Sequence, residues 1–226
     1  MYQQYQRPSQ FGGPPPGVTV STPALLGQVL GITGVGFVVT AIAASFTASL
    51  HLPSMASFIA MIVGFGFLLA ISGTRANPGL SLLMFYAFTA CEGVGIGPVI
   101  AAYTRLDGPS VVVDAAATTA MGMIVLGAIA FLTSFDYRRL SGIAFGMLIG
   151  LVIVSLIGAF THFFHPGVIA WATLAVFAVL TLVDFARIKN SGSGLGPVQL
   201  ATSIYLDAIN IFLALLQIFG GRSRDD

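Results

Sequence analysis

Three acidic residues, Glu92, Asp184 and Asp207, lie inside long apolar runs of this 226-residue chain. A carboxylate held in hydrocarbon costs at least ~2.5–3.5 kcal/mol on insertion scales, so each of the three calls for a functional reason. No lysine or arginine lies deep in any run, and the nearest cations, Arg75 and Arg187, stand at run edges. With more potential negative than positive charge, these acids must be protonated, share a proton or bind a cation. Each option makes the site sensitive to pH or to a hard metal ion.

Spacing says where one acid points. Ser203, Asp207, Asn210, Ala214 and Gln217 recur at alternating four- and three-residue intervals, one stripe of a helix. Such a stripe on an otherwise apolar helix faces the bundle interior or a water-filled cavity. The alternative is an interior helix whose polar groups only hydrogen-bond to neighbours. Asp184 and Asp207 flank one short connection, so their helices are antiparallel neighbours. At 1.5 Å per residue, Asp184 lies roughly 6–12 Å from that connection and Asp207 about 15 Å. They meet only if the connection is asymmetric or the last helix starts irregularly. Otherwise Asp184 forms a surface pair with Arg187, three residues on, worth a few tenths of a kcal/mol.

Glu92 opens Glu92-Gly93-Val94-Gly95-Ile96-Gly97-Pro98, where three glycines and a proline suggest a kinked or broken helix. A kink would turn backbone carbonyls toward a pathway; the alternative is a protonated Glu92 bonded across helices. His162 and His165 suit an interfacial anchor better than a zinc site, since no third ligand is near. Asp114, in the first turn of its helix, complements the helix dipole.

The elements that must hold these residues follow from composition. Hydrophobic residues make up 56% of the chain and charged residues 8%, against about 25% charged in soluble domains. Seven apolar runs approach the ~20 residues a membrane helix needs: 24–50, 56–72, 80–102, 111–135, 140–164, 167–188 and 197–219. The expected fold is therefore all-α, a polytopic seven-transmembrane-helix bundle with the last helix central. The domain division is a Pro/Gln/Gly-rich disordered cytoplasmic tail at 1–20, the membrane domain at 21–221 and a polar tail at 222–226. With the amino terminus inside, six basic residues (Arg7, Arg75, Arg138, Arg139, Arg187, Lys189) collect on the cytoplasmic side against three opposite. The positive-inside rule thus places the carboxyl terminus outside. Gly142, Gly146 and Gly150, and likewise Gly27 and Gly31, have the four-residue spacing of close helix packing within the bundle. A net charge of +1 argues against nucleic-acid binding, and the single Cys91 excludes an internal disulfide. The expected partners are the lipid bilayer, protons and cations, with any membrane-protein partner left open.

The stretch Ser203-Ile204-Tyr205-Leu206-Asp207-Ala208-Ile209-Asn210-Ile211-Phe212, continuing to Gly220, strongly resembles the seventh helix of the Bax inhibitor-1 family, whose hallmark reads close to SLYLDxINLFxxLLRxxG. Glu92-Gly93 followed by Gly97-Pro98 also fits, and the resemblance covers about residues 20 to 220. It implies a pH-sensitive calcium leak protein of the bacterial cell membrane. An aspartate pair on the sixth and seventh helices, here Asp184 and Asp207, would share a proton and contact an arginine ending the second helix, here Arg75. Glu92 would be the third-helix acid. On this resemblance Asp184, Asp207 and Arg75 are the pH-sensing and gating group, while Glu92, Asn210 and Ser203 line the pathway. Calcium, as the transported or bound ion, would meet Asp184, Asp207 and Glu92, and no cofactor is expected. Here Arg75 sits outside a basic cluster, and the usually basic position late in the last helix is Gln217.

Other classes stay open. One is a non-conducting membrane interaction or stress-regulatory protein, in which the buried acids serve packing specificity. Another is a proton-coupled cation exchanger. An intramembrane aspartyl protease would need Tyr-Asp and Gly-x-Gly-Asp, where this chain has Leu206-Asp207 and Val183-Asp184, so the expectation is that it is not an enzyme.

Overall fold

The computed structural model describes residues 21–50, 54–161, 166–190 and 194–222. They form α1 (Thr22–Leu50), α2 (Ser54–Gly73), α3 (Pro78–Leu106), α4 (Pro109–Leu132), α5 (Tyr137–Thr161), α6 (Pro166–Lys189) and α7 (Pro197–Arg222). All seven are long and apolar enough to cross a membrane. Even α2, with 20 residues, reaches about 30 Å, the thickness of the hydrocarbon core. The tail at 1–20, the end of the tail at 223–226, and the pair His162 and His165 lie outside the described residues.

Polar residues punctuate the helices. Asn77 caps α3 by accepting from the Leu80 N–H at 3.2 Å, with Pro78 in the first turn. Gly108, at φ 85°, takes the left-handed turn between α3 and α4 that a side chain would oppose. Asp136 accepts from the Arg138 and Arg139 N–H groups at the start of α5.

The last helix is central. α7 packs against α1, α2, α3, α4 and α6, whereas α5 leans on α6 alone. Tyr205, Leu200 and Leu216 on α7 are almost wholly inaccessible. The Tyr205 ring stacks among Phe37, Phe85 and Phe88, and its hydroxyl meets that of Thr40 at 2.7 Å. Thr40 in turn lies 3.0 Å from the Thr89 carbonyl oxygen, so one chain of hydrogen bonds ties α7 to α1 and α3. Large apolar side chains such as Ile124, Leu132 and Phe160 point outward. An apolar exterior of that extent suits lipid rather than water.

Two expectations about glycine change. α3 runs unbroken from Pro78 to Leu106 through Pro98. Its glycines serve close approach instead: a Cβ on Gly93 would strike the Thr40 carbonyl and Ala43, and one on Gly97 would lie 2.8 Å from the Ala44 carbonyl oxygen. The predicted packing stripes, by contrast, are not packed. Gly142, Gly146 and Gly150, with Gly27 and Gly31, have nothing within 4 Å of a built Cβ. The reason is placement: α5 sits at the rim and all five glycines are exposed, Gly142 beside the open space between α5, α6 and α7.

Candidate functional site

The antiparallel helices α6 and α7 do bring Asp184 and Asp207 together. Asp184 lies five residues before the end of α6, and Asp207 ten residues after the start of α7. For the two to be level, α7 must begin about 7 Å beyond the point where α6 ends, which is the asymmetric connection the spacing required. Both are 4% exposed. Their carboxyls are close enough to hydrogen-bond to each other once one carries a proton.

Both line a cavity of about 450 Å³ between α5, α6 and α7, together with Ser141, Arg187 and Ser203. Arg187 Nη1 donates to Asp184 Oδ1 at 2.6 Å, and Nη2 donates to Ser141 Oγ at 2.6 Å. One guanidinium thus clamps Asp184 and ties α6 to α5. Asp207 Oδ2 is buried without a hydrogen-bond partner. Two carboxylates and one guanidinium leave one negative charge in excess among the cavity's described lining residues. A proton or a cation would balance it, and an orphaned buried carboxylate oxygen is where either would go.

A second cavity of about 420 Å³ follows along the same seam, lined by Asn210, Ser155 and Thr173. Leu148 and Phe177 border both cavities and stand between them. The polar stripe of α7 therefore faces α5 and α6: Ser203 and Asp207 in one chamber, Asn210 in the next. Asn210 Nδ2 donates to the Leu206 carbonyl at 2.8 Å. Gln217, last of that stripe, is exposed.

The other candidates stand elsewhere. Arg75 is exposed in the turn between α2 and α3, and it does not line the cavity. α2 packs chiefly on α3, on the far side of α7 from α5, so the cation at Asp184 is Arg187. Glu92 is half-buried on α3, within electrostatic reach of the Tyr205 hydroxyl and away from the aspartate cavity. Among the described residues no three His, Cys, Asp or Glu side chains converge as a metal site, so Asp184, Asp207 and Glu92 do not form one ligand set. Asp114 is exposed. Reading by spacing alone saw Arg187 only as a surface partner of Asp184; the burial of Asp184 changes what that i, i+3 pair means. Ser141, Leu148 and Phe177 carry no mark in the sequence that separates them from lipid-facing neighbours.

Comparison with known proteins places the chain in a family. A family described as "Inhibitor of apoptosis-promoting Bax1" matches residues 22–224. An uncharacterized protein of Helicobacter pylori is 33% identical over 165 residues, 72% of this chain and 70% of its own. An uncharacterized membrane protein of Vibrio cholerae is 25% identical over 211 residues, 92% of this chain and 94% of its own. Bax inhibitor 1 of Schizosaccharomyces pombe is 28% identical over 172 residues, 75% of this chain and 61% of its own. With seven membrane-length helices and a match across all of them, this integral membrane protein belongs to the Bax inhibitor-1 family.

Proposed function

We propose that the protein is a pH-sensitive calcium leak pathway of the bacterial cell membrane, gated where Asp184 and Asp207 share a proton. The observation that carries the reading is the unbalanced cavity: two buried carboxyls, one guanidinium and an unpartnered Asp207 Oδ2. Two carboxyls this close titrate as a pair rather than singly. Gaining or losing the shared proton alters the pull on Arg187, and through it the grip of α6 on Ser141 of α5. The seam between α5 and α7 is then free to widen. Calcium suits the chambers because their polar atoms are mainly oxygens of carboxyl and hydroxyl groups. The amino terminus is assigned to the cytoplasm by the distribution of basic residues, which puts the aspartate chamber at the cytoplasmic end.

The test is calcium flux into proteoliposomes across pH 5–8, for the wild type, Asp184→Asn and Asp207→Asn. The wild type should leak in a pH-dependent way, and each variant should lose that dependence. Asn variants with the wild-type rate and pH profile, or a wild type without flux at any pH, would remove the reading.

A further inference from the structure

We propose that the protein binds one acyl chain of a bilayer phospholipid in a groove between α1 and α4. The groove has a volume of about 480 Å³ and lies on the face of α7 turned away from the aspartates. Among the described residues α1 and α4 nowhere approach within 8 Å, Cα to Cα, so the space between them is open sideways. Its mouth is lined by the small, exposed residues Gly34, Ala41, Ala116 and Ala120. Its floor is α7, with Ile204 and Ala208.

Three observations select the occupant. The walls offer water nothing. Thr33, Thr40 and Thr119 supply the hydroxyls of the lining, and each is already engaged: Thr33 with the Ala201 carbonyl at 3.3 Å, Thr119 with the Ala115 carbonyl at 2.8 Å, and Thr40 with Thr89 and Tyr205. A confined water needs two to four polar partners, and a dry void forfeits dispersion contacts, so hydrocarbon is the stable filling. The dimensions come second. The α1 wall runs from Leu30 to Ala44, about 21 Å of helix, longer than the ~15 Å depth of one leaflet's hydrocarbon. The third is access: both walls are membrane-spanning helices, so the mouth opens directly onto lipid tails.

A chain seated there backs α7 at Ala208, and α6 at Phe185, the residues that follow Asp207 and Asp184. The site depends on the membrane embedding alone, not on conduction, and its test reads no flux.

The test uses the full-length protein in nanodiscs containing a phospholipid with a photoactivatable diazirine near the methyl end of one acyl chain. After illumination, labelled peptides are quantified by mass spectrometry. Phe37 and Met123 in the groove should be labelled several-fold more than Ile149 and Ile153 on the outer face of α5. The variant Gly34→Leu/Ala120→Leu fills the groove from its open side, since nothing lies within 4 Å of a Cβ at Gly34. It should lose the groove labels and keep those on α5. Groove labelling no greater than on α5 in the wild type would overturn the proposal, and that comparison stands even if the variant does not fold. So would groove labels that persist in a folded double variant. In a Cys91→Ser background, Ala120→Cys that reacts with a water-soluble maleimide would mean a wet groove. Dimers linked through that cysteine would mean a second copy of the chain. Either result refutes an acyl chain.

Discussion

Arg187 does two jobs with one planar group, and they can be separated. Its Nη1 holds Asp184 and its Nη2 holds Ser141 of α5, both at 2.6 Å. Planar, forked donors make this possible; a lysine would offer one point charge and lose one of the two links. Arg187→Gln removes the positive charge facing the pair, leaving the carboxyls with less reason to ionise. The midpoint of the calcium flux-against-pH curve should therefore move to higher pH, by about one unit for every ~1.4 kcal/mol of attraction lost. Ser141→Ala keeps the charge and cuts only the tie to α5, so the midpoint should stay while the leak rises at every pH. Proteoliposome flux for both variants checks this. A common shift in both would mean that charge and tie are not separable, and no shift in Arg187→Gln would mean that the guanidinium does not act on the pair.

Between helices, glycine position rather than glycine spacing decides packing. Gly93 is buried where α3 crosses α1, and a Cβ there would meet both the Thr40 carbonyl and the Ala43 methyl. Since Thr40 also carries the hydroxyl that meets Tyr205, pushing α1 away at this point strains the link to α7 as well. Gly93→Leu should cost at least 1–3 kcal/mol, the usual penalty of overpacking, and lower the melting temperature in detergent by several degrees. Gly146→Ala on α5 meets open space and replaces a poor helix former with a good one, so it should leave melting unchanged or slightly raised. Equal losses at the two positions would contradict the packing described. The sequence predicts close packing at Gly142, Gly146 and Gly150 and a kink beside Gly93. The evenly spaced glycines of α5 look like a packing stripe, but spacing records only that residues share a face, not whether another helix lies against it.

Across the whole molecule, α7 divides two clefts of opposite character. One, toward α5 and α6, is acidic and hydroxyl-rich; the other, toward α1 and α4, is apolar. The seven spans, the centrality of the last helix and the buried aspartates were legible because length, apolar runs and misplaced charge are local properties of the chain. Which arginine serves the pair was not, because that depends on which side of α7 each helix packs: α2, before Arg75, goes one way, and α5, with Ser141, goes the other. The apolar groove had no local mark either, being a contact that α1 and α4 do not make. The polar side yields one more expectation. Its two chambers are separated by Leu148 and Phe177, and an apolar constriction blocks ions by excluding the water that would carry them. Phe177→Ala removes most of that barrier without touching the carboxyls or Arg187. Basal calcium leak should rise several-fold while the pH midpoint stays at the wild-type value, and Phe177→Leu should restore most of the block. An unchanged leak in Phe177→Ala proteoliposomes would place the pathway outside the α5–α7 seam. A shifted midpoint would instead mean that Phe177 acts on the protonation of the pair rather than on passage between the chambers.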